Sequence, residues 1–181
     1  MNTDALQTNL RQVRVGLLLS LLCVFFGFGL GGLFGGAEDM LKGELAQRAT
    51  AAQDTMYGGD VAKVKAVQER AWTYFKRAHM HGGAIGSFAL FGALLLANLG
   101  GLSARVRGLT AGALGVGALG YSVFWLIAGL RAPGLGGTGP AKESLAWLAF
   151  PSAGLLLLGV VALIVLVVRQ LFLAQPRAVS A

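Results

Sequence analysis

The two histidines of the chain lie two positions apart, in the segment RAHMH at 77–81. Imidazole nitrogens bind divalent transition metals, and carboxylates can complete such a site. Glu38 and Asp39 directly follow the first long apolar run, and neighbouring helices would bring them to the same membrane surface as the histidines. The sequence therefore allows a metal site made of His79, His81, Glu38 and Asp39.

Other ligands suit the same histidines. Thioether sulfur from Met40 or Met80 would favour copper, and one histidine could instead be an axial ligand of haem b. A bis-histidine haem between two spans is excluded, because no other apolar run contains a histidine. A quinone headgroup could also accept a hydrogen bond from His79, with Trp125 or Trp147 as an aromatic wall. The cofactor is thus unknown from the sequence, with a transition metal or haem b as the options.

A simpler interpretation treats both histidines as residues of the membrane surface. On a continuous helix, positions i and i+2 point about 200° apart, so the two imidazoles would not face one ion. Aromatic and basic side chains commonly anchor a helix at the boundary of a bilayer. Trp72, Tyr74 and Arg77 give this segment such a composition. We therefore favour interface anchoring over ligand binding.

Motifs for other chemistry are missing from the sequence. It contains no Walker loop, no cysteine-based metal motif and no recognisable Ser-His-Asp arrangement. Residues 27–32 match the template GxGxxG, but no strand-turn-helix pattern surrounds them, so dinucleotide binding is not predicted. The middle of each long apolar run has no charged residue, which argues against proton relays and ion paths. Enzymatic activity stays open, and the residues favour a non-catalytic protein.

The composition is typical of a membrane protein. Of the 181 residues, 55% are hydrophobic and 13% are charged, whereas soluble domains carry about 25% charged residues. The net charge of +7 could suggest a nucleic-acid partner, but the Lys and Arg residues are spread along the chain and do not form one stripe. Many of them flank apolar runs, as expected beside lipid headgroups. We predict a lipid bilayer as a partner and no nucleic acid.

Four apolar runs are long enough to cross a bilayer. They lie approximately at 15–37, 82–103, 108–130 and 144–168, and about 20 helical residues cross a hydrocarbon core of roughly 30 Å. None shows the alternation of a membrane β-strand. The prediction is an all-α polytopic membrane protein, in which residues 1–181 form one membrane domain with four transmembrane helices.

The first run has a second interpretation. Arg11 and Arg14 precede it, and Gly35-Gly36-Ala37 resembles a cleavage site, which together give the outline of a secretory signal. The run is longer than the apolar region of a signal peptide, which has about 7–15 residues. We therefore expect it to be retained as a span.

Basic residues beside the spans predict the orientation. With four spans, the N-terminus, the loop at 103–108 and the C-terminus share one side, where the short segments are rich in arginine. The positive-inside rule then places both termini in the cytoplasm, in a bacterial-type plasma (inner) membrane. The long segment 38–80 has seven basic residues and argues for the reverse. Short loops count most in this rule, so we predict cytoplasmic termini.

The segment 38–80 is predicted to form an extramembrane helical hairpin. Apolar residues recur every three to four positions on both sides of Gly58-Gly59, and Asp60 suits the N-cap of the second helix. Aligning the two arms about this turn places opposite charges face to face. The pairs are Asp54 with Lys63, Arg48 with Glu69, Glu38 with His79, and Asp39 with Arg77.

Two other segments are predicted to be irregular. Residues 131–140 contain several glycines and two prolines, which indicate a loop. This loop would be either a plain connector or a mobile cover over the neighbouring polar residues. The tail after Leu173 contains Pro176 and is predicted to be disordered.

Small residues at four-residue spacing predict where the spans pack. Hydrophobicity does not drive helices together inside lipid, whereas small residues let their backbones approach closely. Packing within the bundle is the first interpretation, and self-association or partner docking is the second. The predicted helix-packing residues are Gly27, Gly31, Gly35, Gly82, Gly86, Gly108 and Gly112.

These features lead to three hypotheses for the function. The first is a non-catalytic membrane protein that acts as a subunit, anchor or assembly partner of a larger membrane complex. The second is an electron-transfer or metal- or haem-handling membrane protein that uses His79 and His81. The third is a small transporter or channel, which the lack of charge inside the spans makes less attractive.

Overall fold

The computed structural model of the protein describes residues 3–173, and within that range the chain forms helices and turns only. This confirms the all-α class. The tail for which disorder is predicted lies outside the described residues. The helices are α1 (Thr3–Ala51), α2 (Gln53–Tyr57), α3 (Val61–Asn98), α4 (Ala104–Arg131), α5 (Thr138–Glu143) and α6 (Ala146–Val168), followed by a π-helical turn (Arg169–Leu173).

Four of the helices, α1, α3, α4 and α6, are long and apolar enough to cross a membrane. Helices α1 and α4 contain the predicted first and third spans, and α3 and α6 contain most of the second and fourth. Helices α1 and α3 also extend far beyond their predicted spans at the end nearer residue 58. The predicted second span runs to residue 103, whereas α3 ends at Asn98. The turn that follows contains Gly101 at φ +68°, a backbone conformation that favours glycine and that a helix cannot accommodate.

Helix α1 has one interruption. Ala37 adopts φ −142° and ψ 27°, which are not helical values. It follows Gly35 and Gly36, which are poor helix formers because they lack a Cβ. The kink therefore separates the apolar part of α1 from the charged part that starts at Glu38.

The connection from α1 to α3 is tight. Gly58 and Gly59 have φ values of +61° and +78°, which explains the glycine pair. The Asp60 carboxylate accepts hydrogen bonds from Ala62 N at 3.0 Å and Lys63 N at 3.1 Å. The predicted N-cap at Asp60 is thus confirmed. These backbone donors, first of all that of Lys63, hold the pKa of the Asp60 carboxyl below its ordinary value.

We expect Asp60→Ala to lower the melting temperature at pH 6 and to have a smaller effect near pH 3. A carboxyl whose pKa is lower in the folded state stabilises it above its unfolded pKa of about 3.9, and this contribution is lost as the pH falls through the folded pKa. Thermal unfolding of both proteins across this pH range measures the difference. An equal difference at both pH values would contradict the assigned role of the charge.

Arg48 and Lys63 do not form the ion pairs predicted across the two helices of the segment 38–80. Arg48 Nε lies 2.7 Å from Glu44, and Lys63 Nζ lies 3.5 Å from Asp60. Glu38 likewise bonds to Lys42 at 2.5 Å. Residues three or four positions apart are neighbours on the surface of one helix, whatever the tertiary fold. These charged side chains therefore pair within their own helix.

The long helices share one core. Helix α4 packs on α1, α3 and α6, while α6 packs mainly on α4. Most of the buried side chains are small, which lets the helices approach closely. They are Val13, Cys23, Ala89, Ala93, Leu96, Ala97, Leu99, Ala111, Leu114, Ala118 and Leu163.

The residues between α4 and α6 fold back against α1 and α3. Ala132 and Ala141 pack with Leu45, Ala71 and Phe75 in a second cluster. The predicted loop at 131–140 is therefore structured, and its last residues already belong to α5. It is anchored by hydrogen bonds and apolar burial, which composition alone does not reveal.

A buried hydrogen bond joins this connection to α2. The Tyr57 hydroxyl donates to Pro133 O at 2.6 Å. Burial raises the pKa of the Tyr57 hydroxyl, which keeps it in its donating, neutral form. Gly136, at φ +74°, lies against Met56 and would have no strain-free replacement there.

Candidate functional site

His79 points toward α1. Its Nδ1 lies 2.7 Å from Gly27 O, so this nitrogen carries the proton and donates to the carbonyl. Gly31 provides the space for the ring, because a Cβ there would lie 2.7 Å from His79 Cε1. The ring also contacts the edge of Phe34, at 5.6 Å between centroids. His79 therefore joins α3 to α1.

His81 points toward α4 instead. Its Nδ1 lies 2.6 Å from Arg77 O in the preceding turn. The ring packs on Tyr121 and Trp125, with centroids 5.4 Å and 6.1 Å away. The two histidines thus face different helices, as expected for positions i and i+2 of a continuous helix.

The structure does not assemble the four residues predicted for a metal site. His79 and His81 bond to separate carbonyls, and the Glu38 carboxylate bonds to Lys42. In the part of the chain that the structure describes, no group of three or more His, Cys, Asp or Glu residues could hold a metal ion. Asp39 lines a surface concavity at the α1 kink together with Glu38.

An aromatic cluster surrounds His81. Trp125 is its centre and contacts Tyr74, Phe124, Tyr121 and His81 at 4.8–6.1 Å between ring centroids. The cluster connects α3 and α4 at one end of the apolar part of the bundle.

A cation lies over this cluster. The Arg77 guanidinium stands 4.8 Å from the centre of the Trp125 ring and 5.5 Å from that of Tyr74, an attractive arrangement because the ring faces carry negative charge. Trp125 Nε1 is buried and is the one buried side-chain nitrogen or oxygen in residues 3–173 without a hydrogen-bond partner. Tyr74 and Arg77, predicted as interface anchors, therefore also bind α3 to α4.

A groove of about 420 Å³ lies beside the aromatic cluster, between α4 and α6. Its wall is mostly apolar, and alanines at helical spacing on α6 leave the space open. Lys142 and Glu143 stand at one end. The lining residues are Tyr121, Phe124, Trp125, Lys142, Glu143, Ala146, Ala149, Phe150 and Ala153.

The other end of the bundle contains a buried arginine, which the sequence shows only as a charge beside the predicted third span. Arg107 is 3% exposed. Its Nε donates to Leu96 O at 2.9 Å and its Nη2 to Leu99 O at 2.8 Å, while Nη1 bonds to Gln12 on α1. The guanidinium thus caps the carbonyl end of α3, where a positive charge is favoured.

A second polar contact supports the same helix end. Asn9 Nδ2 on α1 donates to Ala97 O at 2.9 Å. Together with Gln12 and Arg107 it ties α1 and α4 to the end of α3. The sequence signal was present: an arginine that begins the helix after a Gly-Gly terminator can reach back to the last carbonyls.

The polar groups in the middle of the bundle form hydrogen bonds with backbone carbonyls and with each other. Ser20 Oγ donates to Gly16 O and Ser122 Oγ to Ala118 O, both at 2.8 Å. The Cys23 thiol lies 3.6 Å from Gly82 O and 3.6 Å from Ser122 Oγ. These groups contribute to packing between α1, α3 and α4.

The predicted packing glycines have different surroundings. A Cβ added to Gly82 would lie 2.7 Å from Gly27 Cα, one on Gly86 would lie 2.9 Å from Val24 N, and one on Gly108 would lie 3.0 Å from Gln12 O. Gly35 and Gly112 have open space instead, with no atom within 4 Å of such a Cβ.

Comparisons with protein-family models, with curated proteins and with solved structures found no match. The polar side chains of this protein form two organised layers, one around Arg107 and one around Trp125 and Arg77. Both layers hold helices together through hydrogen bonds and ring contacts.

Proposed function

We propose that this protein is a non-catalytic integral membrane protein that serves as a subunit, anchor or assembly partner of a larger membrane complex. Helices α1, α3, α4 and α6 span a bacterial-type plasma membrane, with both termini in the cytoplasm. The segment 38–80 extends from the opposite surface as a helical hairpin. Four helices of sufficient length and apolarity support insertion.

The observation that carries the proposal is the engagement of the polar side chains. Both histidines, the guanidinium of Arg107, and the central Ser122 and Cys23 bond to groups of the chain itself. A catalytic or transporting protein needs polar groups that can bind a substrate or move a proton. Here the hydrogen bonds of His79, Arg107 and Cys23 join helices, and those of His81 and Ser122 lie within one helix. This pattern suits a protein whose role is to present a surface.

The surfaces available to a partner are those of α1 and α6. In their most apolar stretches only 22% and 17% of the residues are buried, against 50% in α4. Gly32 and Gly36 lie four positions apart on the exposed side of α1, and a Cβ added to either would have no atom of another element within 4 Å. Small residues at this spacing allow another helix to approach closely. We infer that a membrane helix of the partner packs there.

The test is purification of the tagged full chain in mild detergent. We expect a partner at fixed stoichiometry, and we expect Gly32→Leu with Gly36→Leu to release it, because leucine would block the close approach of a helix. Gly154→Leu is the matched control, since Gly154 on α6 also has open space around it. A monodisperse chain without a partner would contradict the proposal. Equal release by the control would contradict docking of the partner on α1.

A further inference from the structure

A second groove, of about 440 Å³, lies between α1 and α3 on the segment 38–80. Most of its wall comes from one face of α3, where lining residues recur every three to four positions. Three of its side chains are lysines and one is a glutamate. The lining residues are Lys42, Leu45, Lys65, Gln68, Glu69, Trp72, Thr73 and Lys76.

Two of the lysines are available for an anion. Lys42 bonds to Glu38 and also lies over the Trp72 ring, 5.2 Å from its centre. Lys65 and Lys76, in contrast, have no ion-pair partner among the described residues. Glu69 is the single acidic side chain of the wall, so the groove has a net positive charge.

The inner end of the groove coincides with the surface of the membrane if the proposed insertion is correct. About 20 residues counted back from Asn98 cross the hydrocarbon core and reach residue 79. At 1.5 Å per residue, Lys76 then lies about 5 Å and Trp72 about 10 Å beyond the core. The headgroup layer on each side is about 5–8 Å thick. Lys65 lies about 20 Å beyond the core, outside this layer.

We propose that this groove binds the headgroup of an anionic phospholipid, with its phosphate near Lys76 and the polar group that lies outside the phosphate near Trp72. The Lys76 ammonium attracts the phosphate, and the Trp72 ring, about 10 Å beyond the core, lies on the outer side of that phosphate. The inference rests on the proposed membrane insertion. It does not require the partner subunit.

The experiment measures binding of phosphatidylglycerol and phosphatidylcholine to the full chain in detergent, by native mass spectrometry. We expect phosphatidylglycerol to bind more tightly. Lys76→Gln should weaken it about fivefold, the usual contribution of one lysine at an anionic surface. Lys65→Gln should weaken it less than about twofold, because Lys65 lies beyond the headgroups. Arg70→Gln removes an exposed charge of α3 outside the groove and should have no effect.

Each alternative has its own outcome. Equal binding of the two lipids, or equal losses in all three variants, would overturn the site. Equal losses for Lys65→Gln and Lys76→Gln would show that the lipid phosphate is not held at the depth of Lys76, and would overturn the proposed position of the headgroup. A chain that does not enter micelles or vesicles would overturn the membrane insertion and this inference together.

Discussion

Replacing Arg107 by methionine is expected to lower the free energy of unfolding by about 3–5 kcal/mol, because two carbonyls of the α3 terminus lose a charged donor and stay buried. Methionine keeps most of the length and apolar contact of the side chain but has no N–H group. The lost bonds are those to Leu96 O and Leu99 O, at 2.9 Å and 2.8 Å. Gln12 on α1 would lose its partner as well.

Thermal or denaturant unfolding of the detergent-solubilised protein measures this effect. Arg105→Gln is the matched control, since Arg105 is exposed in the same turn of α4 and should change stability by less than about 0.5 kcal/mol. Arg107→Lys should fall between the two, because a lysine cannot reproduce the guanidinium fork. Equal stability of Arg107→Met and Arg105→Gln would contradict the capping role.

Adding a single methyl group at Gly82 is the second change with a large expected effect. In Gly82→Ala the new Cβ would lie 2.7 Å from Gly27 Cα and 2.9 Å from Gly27 N. These are backbone atoms, so α1 and α3 must separate. We expect the free energy of unfolding to fall by about 1–3 kcal/mol, the usual cost of overpacking.

The neighbouring residue provides the control. Gly83 has open space, with no atom within 4 Å of an added Cβ. Gly83→Ala should therefore be neutral or stabilising by up to about 1 kcal/mol, because alanine is the better helix former. If the two alanine variants were equally stable, α1 and α3 would not be in contact at Gly27 and Gly82.

The four long helices could be predicted from the sequence because four apolar runs have the length and composition that a helix crossing a bilayer would need. The structure has four helices of this kind. Local signals were equally direct. The Gly58-Gly59 turn and the cap at Asp60 depend on neighbouring residues only.

Features that depend on tertiary neighbours could not be predicted in the same way. Arg107 lies next to the predicted third span, a position that suggests a charge at the surface. In the structure the end of α3 packs over it and accepts its hydrogen bond at Leu96 O. The connection at 131–140 is held by the hydrogen bond from the Tyr57 hydroxyl to Pro133 O, and these two residues are 76 positions apart in the sequence. The Gly-Gly terminator before Arg107 only allows the first of these contacts, and nothing in the local composition indicates the second.

The candidate site shows the same division. Helical geometry alone separates His79 from His81, and the two rings indeed meet different helices, at Gly27 and at Tyr121. The contacts of Arg77 and His81 with Trp125 arise from the packing of α3 on α4 and could not be predicted from helical geometry. The basic groove was equally hidden, because Lys42 comes from α1 and Lys76 from α3.

The central claim, that the long apolar helices of this chain span a membrane, is tested most directly by cysteine accessibility on the two sides of α3. In a Cys23→Ala background, Thr55→Cys places a thiol in the segment 38–80 and Ala104→Cys places one at the opposite end of the bundle; both positions are exposed. In intact cells we expect a membrane-impermeant reagent to label residue 55 and to label residue 104 only after permeabilisation. Equal labelling of both thiols in intact cells would contradict the account.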